Sequence, residues 1–257
     1  MEKDNFKKTV GNLSETAFGF AKQGVNLLDK LVERLSKFDD SSNLRTRVIS
    51  GIVMLLLGVV AICFFKSLFF LLAVAITILM TFEWLELTKT APMADKQKWH
   101  LIGFVYILLP MFAVLKLRED DYQILLWMFA VIAATDIFAY FAGKNFGGPK
   151  LMPKVSPNKT WAGLAGGVAA SMIIGFLSSF MFSGGIFFFI FLSAFLSLIE
   201  QGSDLLESKF KRTFGVKDSG NIIPGHGGIL DRLDGMMLVA PTVLFLTWFY
   251  SENFISK

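Results

Sequence analysis

The sequence predicts an all-α protein, a polytopic transmembrane helical bundle of about seven spans with a cytoplasm-facing polar cavity. Three observations predict it. Hydrophobic residues make up 54% of the 257-residue chain, Phe alone contributes 28, and mean hydropathy is +0.57. Apolar runs recur at the length needed to span a bilayer, about 20 residues for roughly 30 Å of hydrocarbon. The Lys and Arg residues gather in alternate loops, as they do where basic loops stay in the cytoplasm.

Residues 1–43 form an amphipathic extension before the transmembrane domain at 44–257. The start is charged and lacks the apolar core of a signal peptide. Leu13, Ala17, Ala21, Val25, Leu28, Leu31, Val32 and Leu35 recur at helical spacing among Lys22, Lys30, Arg34 and Lys37. Such a helix suits an anionic membrane surface, and equally the cytoplasmic face of the bundle or a partner. Spans follow, with soft edges, at about 48–64, 67–87, 99–116, 122–142, 161–182, 185–206 and 234–250. The sixth ends in a polar turn, so it leaves the membrane early or lines a cavity. With a cytoplasmic N-terminus and single crossings, only Lys66, Lys116, Arg118 and Lys257 of the 25 Lys and Arg fall outside. That asymmetry sets the orientation, and basic loops that satisfy topology give no reason to expect nucleic acid. Cys63 is the single cysteine, which excludes a disulfide framework.

Acidic groups at membrane depth are more informative, because burying a carboxylate is costly unless something pairs with it. Glu83 and Glu86 close the second span and read most simply as an interfacial pair. Asp136 is followed by Tyr140 and Lys144 at four-residue steps on one helical face, suiting either a helix-internal contact or a site. Glu200, Asp204, Glu207, Ser208 and Lys211 also share a face. Clustered carboxylates at an apolar helix end call for a cation, and a hard divalent ion such as Mg2+ suits them.

Between the last two spans lies SKFKRTFGVKDSGNIIPGHGGILDRLD at 208–234, too polar for lipid. Gly225, Gly227 and Gly228 follow a Pro-Gly turn and permit close backbone approach, while successive free N–H groups there would form an anion nest. Asp231 and Asp234 fall three apart, with the planar fork of Arg232 between them. The loop GKNFGGPKLMPKVSPNKTW at 143–161 lies on the same side and carries four Lys. Two basic, glycine-bearing loops flanking intramembrane acids suggest a polyanionic soluble substrate meeting a lipid-embedded one.

The 208–234 run resembles the signature of the phosphatidate cytidylyltransferases (CDP-diacylglycerol synthases). Ser208, Lys211, Arg212, Lys217, Asp218, Gly220, Pro224, His226, Gly227, Gly228, Asp231, Arg232 and Asp234 fall at that family's spacings without insertion. Asp136, Tyr140, Gly143, Lys144, Phe146, Gly147, Lys150, Pro153, Ser156, Pro157, Lys159 and Thr160 extend the likeness upstream. Two positions depart from it: Ala162 replaces a common Glu, and Ser203 a common Gly before the acidic Asp204.

The resemblance implies CTP and phosphatidic acid as substrates, with CDP-diacylglycerol and pyrophosphate as products. It implies Mg2+, with room for a second cation, on Asp204 and Asp231. Asp218, Asp234, Lys217, His226 and Arg232 are its catalytic candidates. Lys209, Lys211 and Arg212 would meet phosphates, with Ser208 beside them, while Gly227 and Gly228 shape the nucleotide loop. Ser156, Asn158, Lys159 and Thr160, with Asp136, Tyr140 and Lys144, form the other wall. A homodimer in the inner membrane, with N-terminus and active site cytoplasmic, completes the expectation. A relative acting on another lipid phosphate or a polyprenol is the nearest competing reading. A secondary transporter is a more distant one, since it should show paired half-chain repeats and charges spread through the bilayer.

Overall fold

The computed structural model describes residues 56–220 and 227–257, so the 1–43 extension, the first part of the first predicted span (48–55), and Pro224, Gly225 and His226 lie outside the described residues. Residues 56–64 are helical, and the chain breaks at Phe65, whose backbone is non-helical. Helices α1 (Lys66–Leu87), α2 (Met93–Asp120) and α3 (Tyr122–Phe146) then run in succession. Pro92 precedes α2, where a fixed φ favours helix initiation, and Asp121 caps α3 by accepting from the Gln123 amide at 2.8 Å. A short antiparallel hairpin, β1 (Lys150–Met152) with β2 (Ser156–Thr160), leads into α4 (Trp161–Ser178). Helix α5 (Ile186–Thr213), the four-residue α6 (Leu230–Leu233) and α7 (Met236–Phe249) complete the chain.

Five helices among the described residues are long and apolar enough to cross a membrane, and α7 is a shorter apolar helix of 14 residues. The architecture is mostly helical, as the hydropathy predicts. One detail differs: the sequence shows no hairpin, because three- and five-residue strands rich in Lys, Pro and Ser carry no β-periodicity. Helix α5 runs unbroken past the soft edge near 206 to Thr213, which keeps Glu200, Asp204, Glu207, Ser208 and Lys211 on one helix as expected.

Large apolar side chains such as Phe104, Ile137 and Phe187 stand exposed around the bundle. A surface of that kind belongs in lipid. Inside, contact rests on small residues as much as on large ones. A Cβ added at Gly166 would lie 2.3 Å from the Ala142 methyl, and one at Gly163 would lie 2.8 Å from the Ala139 carbonyl. Helix α4 therefore lies against α3 through a glycine face, the close approach that membrane helices use. Gly166→Leu should force the pair apart, lowering stability by about 1–3 kcal/mol and the unfolding midpoint in detergent with it. That contact matters because it fixes β2 and Thr160 beside Asp136.

Candidate active site

Two polar clusters meet at one end of the bundle. The first surrounds a cavity of about 470 Å3 between α3, the hairpin, α4 and α5. Asp136, Tyr140, Lys144, Asn158, Lys159, Thr160 and Asp204 line it, so seven expected site residues from three separate segments converge there. Lys159 holds the wall together. Its ammonium lies 2.5 Å from Asp204 and donates to Gln201 at 2.9 Å, and Gln201 in turn donates to Glu200 at 3.0 Å. The Glu200 carboxyl, fully buried, faces that of Asp136. Lys144 lies over the Tyr140 ring at 5.7 Å, which realises the single face expected of α3.

Thr160 has a second task. Its hydroxyl accepts from the Gly163 amide at 3.0 Å and caps α4. Thr160→Ala should therefore cost about 1 kcal/mol, read as a lower unfolding midpoint, whatever it does to substrate.

The second cluster centres on Asp231. Its carboxylate accepts from Lys211 at 2.6 Å, from the Ser219 amide at 3.0 Å and from the Gly228 amide at 2.9 Å. Lys211 also pairs with Glu207 at 2.5 Å. Burial alone would raise the Asp231 carboxyl. Lys211 and the Gly228 and Ser219 amides outweigh burial and hold its pKa below the ordinary carboxylate value. A depressed pKa stabilises the fold at and above the unfolded value of about 3.9, and this is lost only as pH falls through the lower folded value. Amide exchange at Gly228, corrected for its intrinsic rate, should thus be equally slow at pH 5 and pH 7.

On the other side of the same turn stands Glu83. It is 2% exposed and accepts from the Ile229 amide at 2.8 Å, the Leu230 amide at 2.9 Å and the Ser219 hydroxyl at 3.3 Å. The expected interfacial pair describes only Glu86, which meets Lys89 at 3.1 Å on the surface. Glu83 is instead an internal anchor, and nothing in the sequence joins it to partners 136 to 147 residues away.

Part of the donor set of the glycine turn is thereby committed, while Gly225 lies outside the described residues. The amides of Gly228, Ile229 and Leu230 are already taken by the protein's own carboxylates. Gly228 is glycine because a Cβ would fall 2.1 Å from Ser219 Oγ and 2.7 Å from Glu83. Gly227 needs its freedom for a φ of +82°.

The remaining expected residues spread outward. Lys209, Lys217 and Asp218 are exposed, Ser208 donates to Asp204 at 3.3 Å, and Arg212 donates to the Val216 carbonyl at 2.8 Å. Ser156 opens β2, and Arg232 lies in α6 on the exposed side. Asp234 caps its own turn through the Gly235 amide at 2.8 Å, and its carbonyl accepts from Ser203. Ser203 Oγ also accepts from the Leu238 amide at 3.2 Å, an N–H of the first turn of α7 with no intrahelical acceptor. The Ser at that departure from the expected pattern thus ties α5 to α7.

Comparison with known proteins decides the relationship. Residues 96–250 match the cytidylyltransferase family. A phosphatidate cytidylyltransferase of Rickettsia bellii is 40% identical over 235 residues, covering 87% of this chain and 99% of that protein. The chain belongs to the cytidylyltransferase family. The phosphatidate cytidylyltransferase of Rickettsia typhi is 42% identical over 226 residues, covering 84% of this chain and 96% of that protein. That of Brucella abortus is 41% identical over 158 residues, 60% of this chain and 58% of that protein.

Membership among cytidylyltransferases implies nucleotidyl transfer assisted by a divalent cation. Among the described residues no three His, Cys, Asp or Glu stand close enough to form a ready metal cage. The donor chemistry nevertheless fits such an ion. Asp136 feels the charge of Glu200, Asp204 and Asp234, and Asp234 also feels those of Asp204 and Glu207. Glu200 Oε1 is buried without a hydrogen-bond donor among the described residues. Carboxylate oxygens are the donors a hard divalent ion takes.

Proposed function

We propose that this protein transfers the cytidylyl group of CTP to phosphatidic acid, releasing pyrophosphate and CDP-diacylglycerol for phospholipid synthesis. The observation that carries this reading is the convergence of Lys159, Asp204 and Asp136 from three segments on one cavity, beside the Lys211–Asp231 pair.

The chemistry follows from charge. The attacking oxygen of phosphatidic acid is already anionic, so the site needs no strong general base. It must instead hold two polyanions together and stabilise charge on departing pyrophosphate. Asp204 and Asp231 are the proposed metal ligands, with Asp218 and Asp234 as further ones. Such an ion, when bound, would neutralise and orient phosphate oxygens. Lys209, Lys211, Arg212, Lys217 and Arg232 are proposed to meet the phosphates. Asp231 and Glu207 orient the Lys211 ammonium between them. The turn at Gly227 and Gly228 shapes the nucleotide side, with His226 positioning phosphate or base. Ser156, Asn158, Lys159 and Thr160 form the opposite wall, together with Asp136, Tyr140 and Lys144. Seven crossings, a cytoplasmic N-terminus and a cytoplasm-open site agree with the loop charges, and a homodimer is the proposed assembly.

An acceptor panel tests the substrate. Purified protein should consume CTP in the presence of Mg2+ and phosphatidic acid, and release no pyrophosphate without the lipid. Equal turnover with a polyprenol phosphate would transfer the assignment to a related lipid acceptor.

A further inference from the structure

We infer that Glu83 is a positioning residue for nucleotidyl transfer, gripping the 228–230 turn from inside the bundle so that it presents the nucleotide in register with Asp231. The inference rests on the proposed assignment of this turn to the nucleotide.

The grip is built from three groups on one carboxylate: the Ile229 amide, the Leu230 amide and the Ser219 hydroxyl. Glu83 has no ion-pair partner among the described residues, so these neutral donors are what satisfy it there. A carboxylate at 2% exposure is costly to bury, and hydrogen bonds to a charged acceptor are the strong class. The packing admits little slack. A Cβ at Gly220 would approach Glu83 Oε1 to 3.0 Å, and one at Gly228 would collide with both Glu83 and Ser219. Asp231 grips the same turn from its other side through Gly228 and Ser219. Two carboxylates thus hold one short stretch of backbone, one from a membrane helix and one from the turn's own helix. Asp231 sits at the proposed chemistry. Glu83 touches only backbone and Ser219 in the contacts described, so it acts through the turn.

Glu83→Ala removes every acceptor. Glu83→Gln keeps the size and one oxygen, which guards against a variant that simply fails to fold. Both should be purified with the wild-type protein in phosphatidylcholine nanodiscs. Amide exchange at 229 and 230, and KM and kcat for CTP and phosphatidic acid, should then be measured. The expected result is faster exchange in both variants and a KM for CTP raised about tenfold or more, with Ala worse than Gln. The KM for phosphatidic acid should stay within about twofold of wild type, and the partial rescue by Gln marks the lost acceptor as the cause. Unchanged exchange, or faster exchange with unchanged constants for CTP, would overturn the positioning role and leave the reaction assignment standing. A wild-type protein without turnover would overturn the reaction assignment itself, and the positioning role with it.

Discussion

Asp231→Asn should leave an inserted, folded protein with turnover reduced by at least about a hundredfold, and more if a metal ligand is lost with the charge. The substitution is nearly isosteric, yet neither orientation of the new amide can work. One Asp231 oxygen faces Lys211 and the Ser219 amide, and the other faces the Gly228 amide and Ser219 again. Whichever way the amide flips, its NH2 points at a donor. Lys211 loses half of its counter-charge, and the glycine turn loses one of its two grips. Kinetics with a Mg2+ titration, alongside amide exchange at Gly228, would check this. Near-normal turnover would show that neither metal nor turn geometry depends on this carboxylate.

Lys211→Met should produce the largest loss of stability. Lys211 is 9% exposed and lies between Glu207 and Asp231. Removing one member of a buried ion group leaves the others uncompensated, at a cost on the order of 3–5 kcal/mol. The paired variant Lys211→Met, Glu207→Leu should regain much of that stability, because the Glu207 charge goes along with its partner. Activity should not return, since the proposed phosphate contact is gone. Thermal unfolding in detergent separates the two effects. A double variant as unstable as the single one would mean that packing, not charge, gives Lys211 its place.

Much of the molecule was legible from local sequence. Hydropathy located the helices that the structure describes, because lipid imposes the same demand on every spanning segment. The four-residue steps from Asp136 to Lys144 and from Glu200 to Lys211 gave true helical faces, since helix geometry is local. What stayed hidden depended on long-range contact. Glu83 looked like half of an interfacial pair because its partners come from the far end of the chain. The glycine at 228 signalled close approach, but not that the approaching group is the protein's own carboxylate. Lys159 and Asp204 appeared on separate walls, and they meet at 2.5 Å because α4, which follows directly on β2, also packs closely against α5 through Gly175.

Carboxylates and cations converging from distant segments are proposed to form one cytidylyl transfer site. The most direct measurement incubates purified protein with CTP, Mg2+ and phosphatidic acid and identifies the lipid product by mass spectrometry. CDP-diacylglycerol and pyrophosphate should form in equal amounts, both dependent on each substrate and both lost in Asp231→Asn. Folded, membrane-inserted protein that forms no CDP-diacylglycerol under those conditions would contradict that proposal.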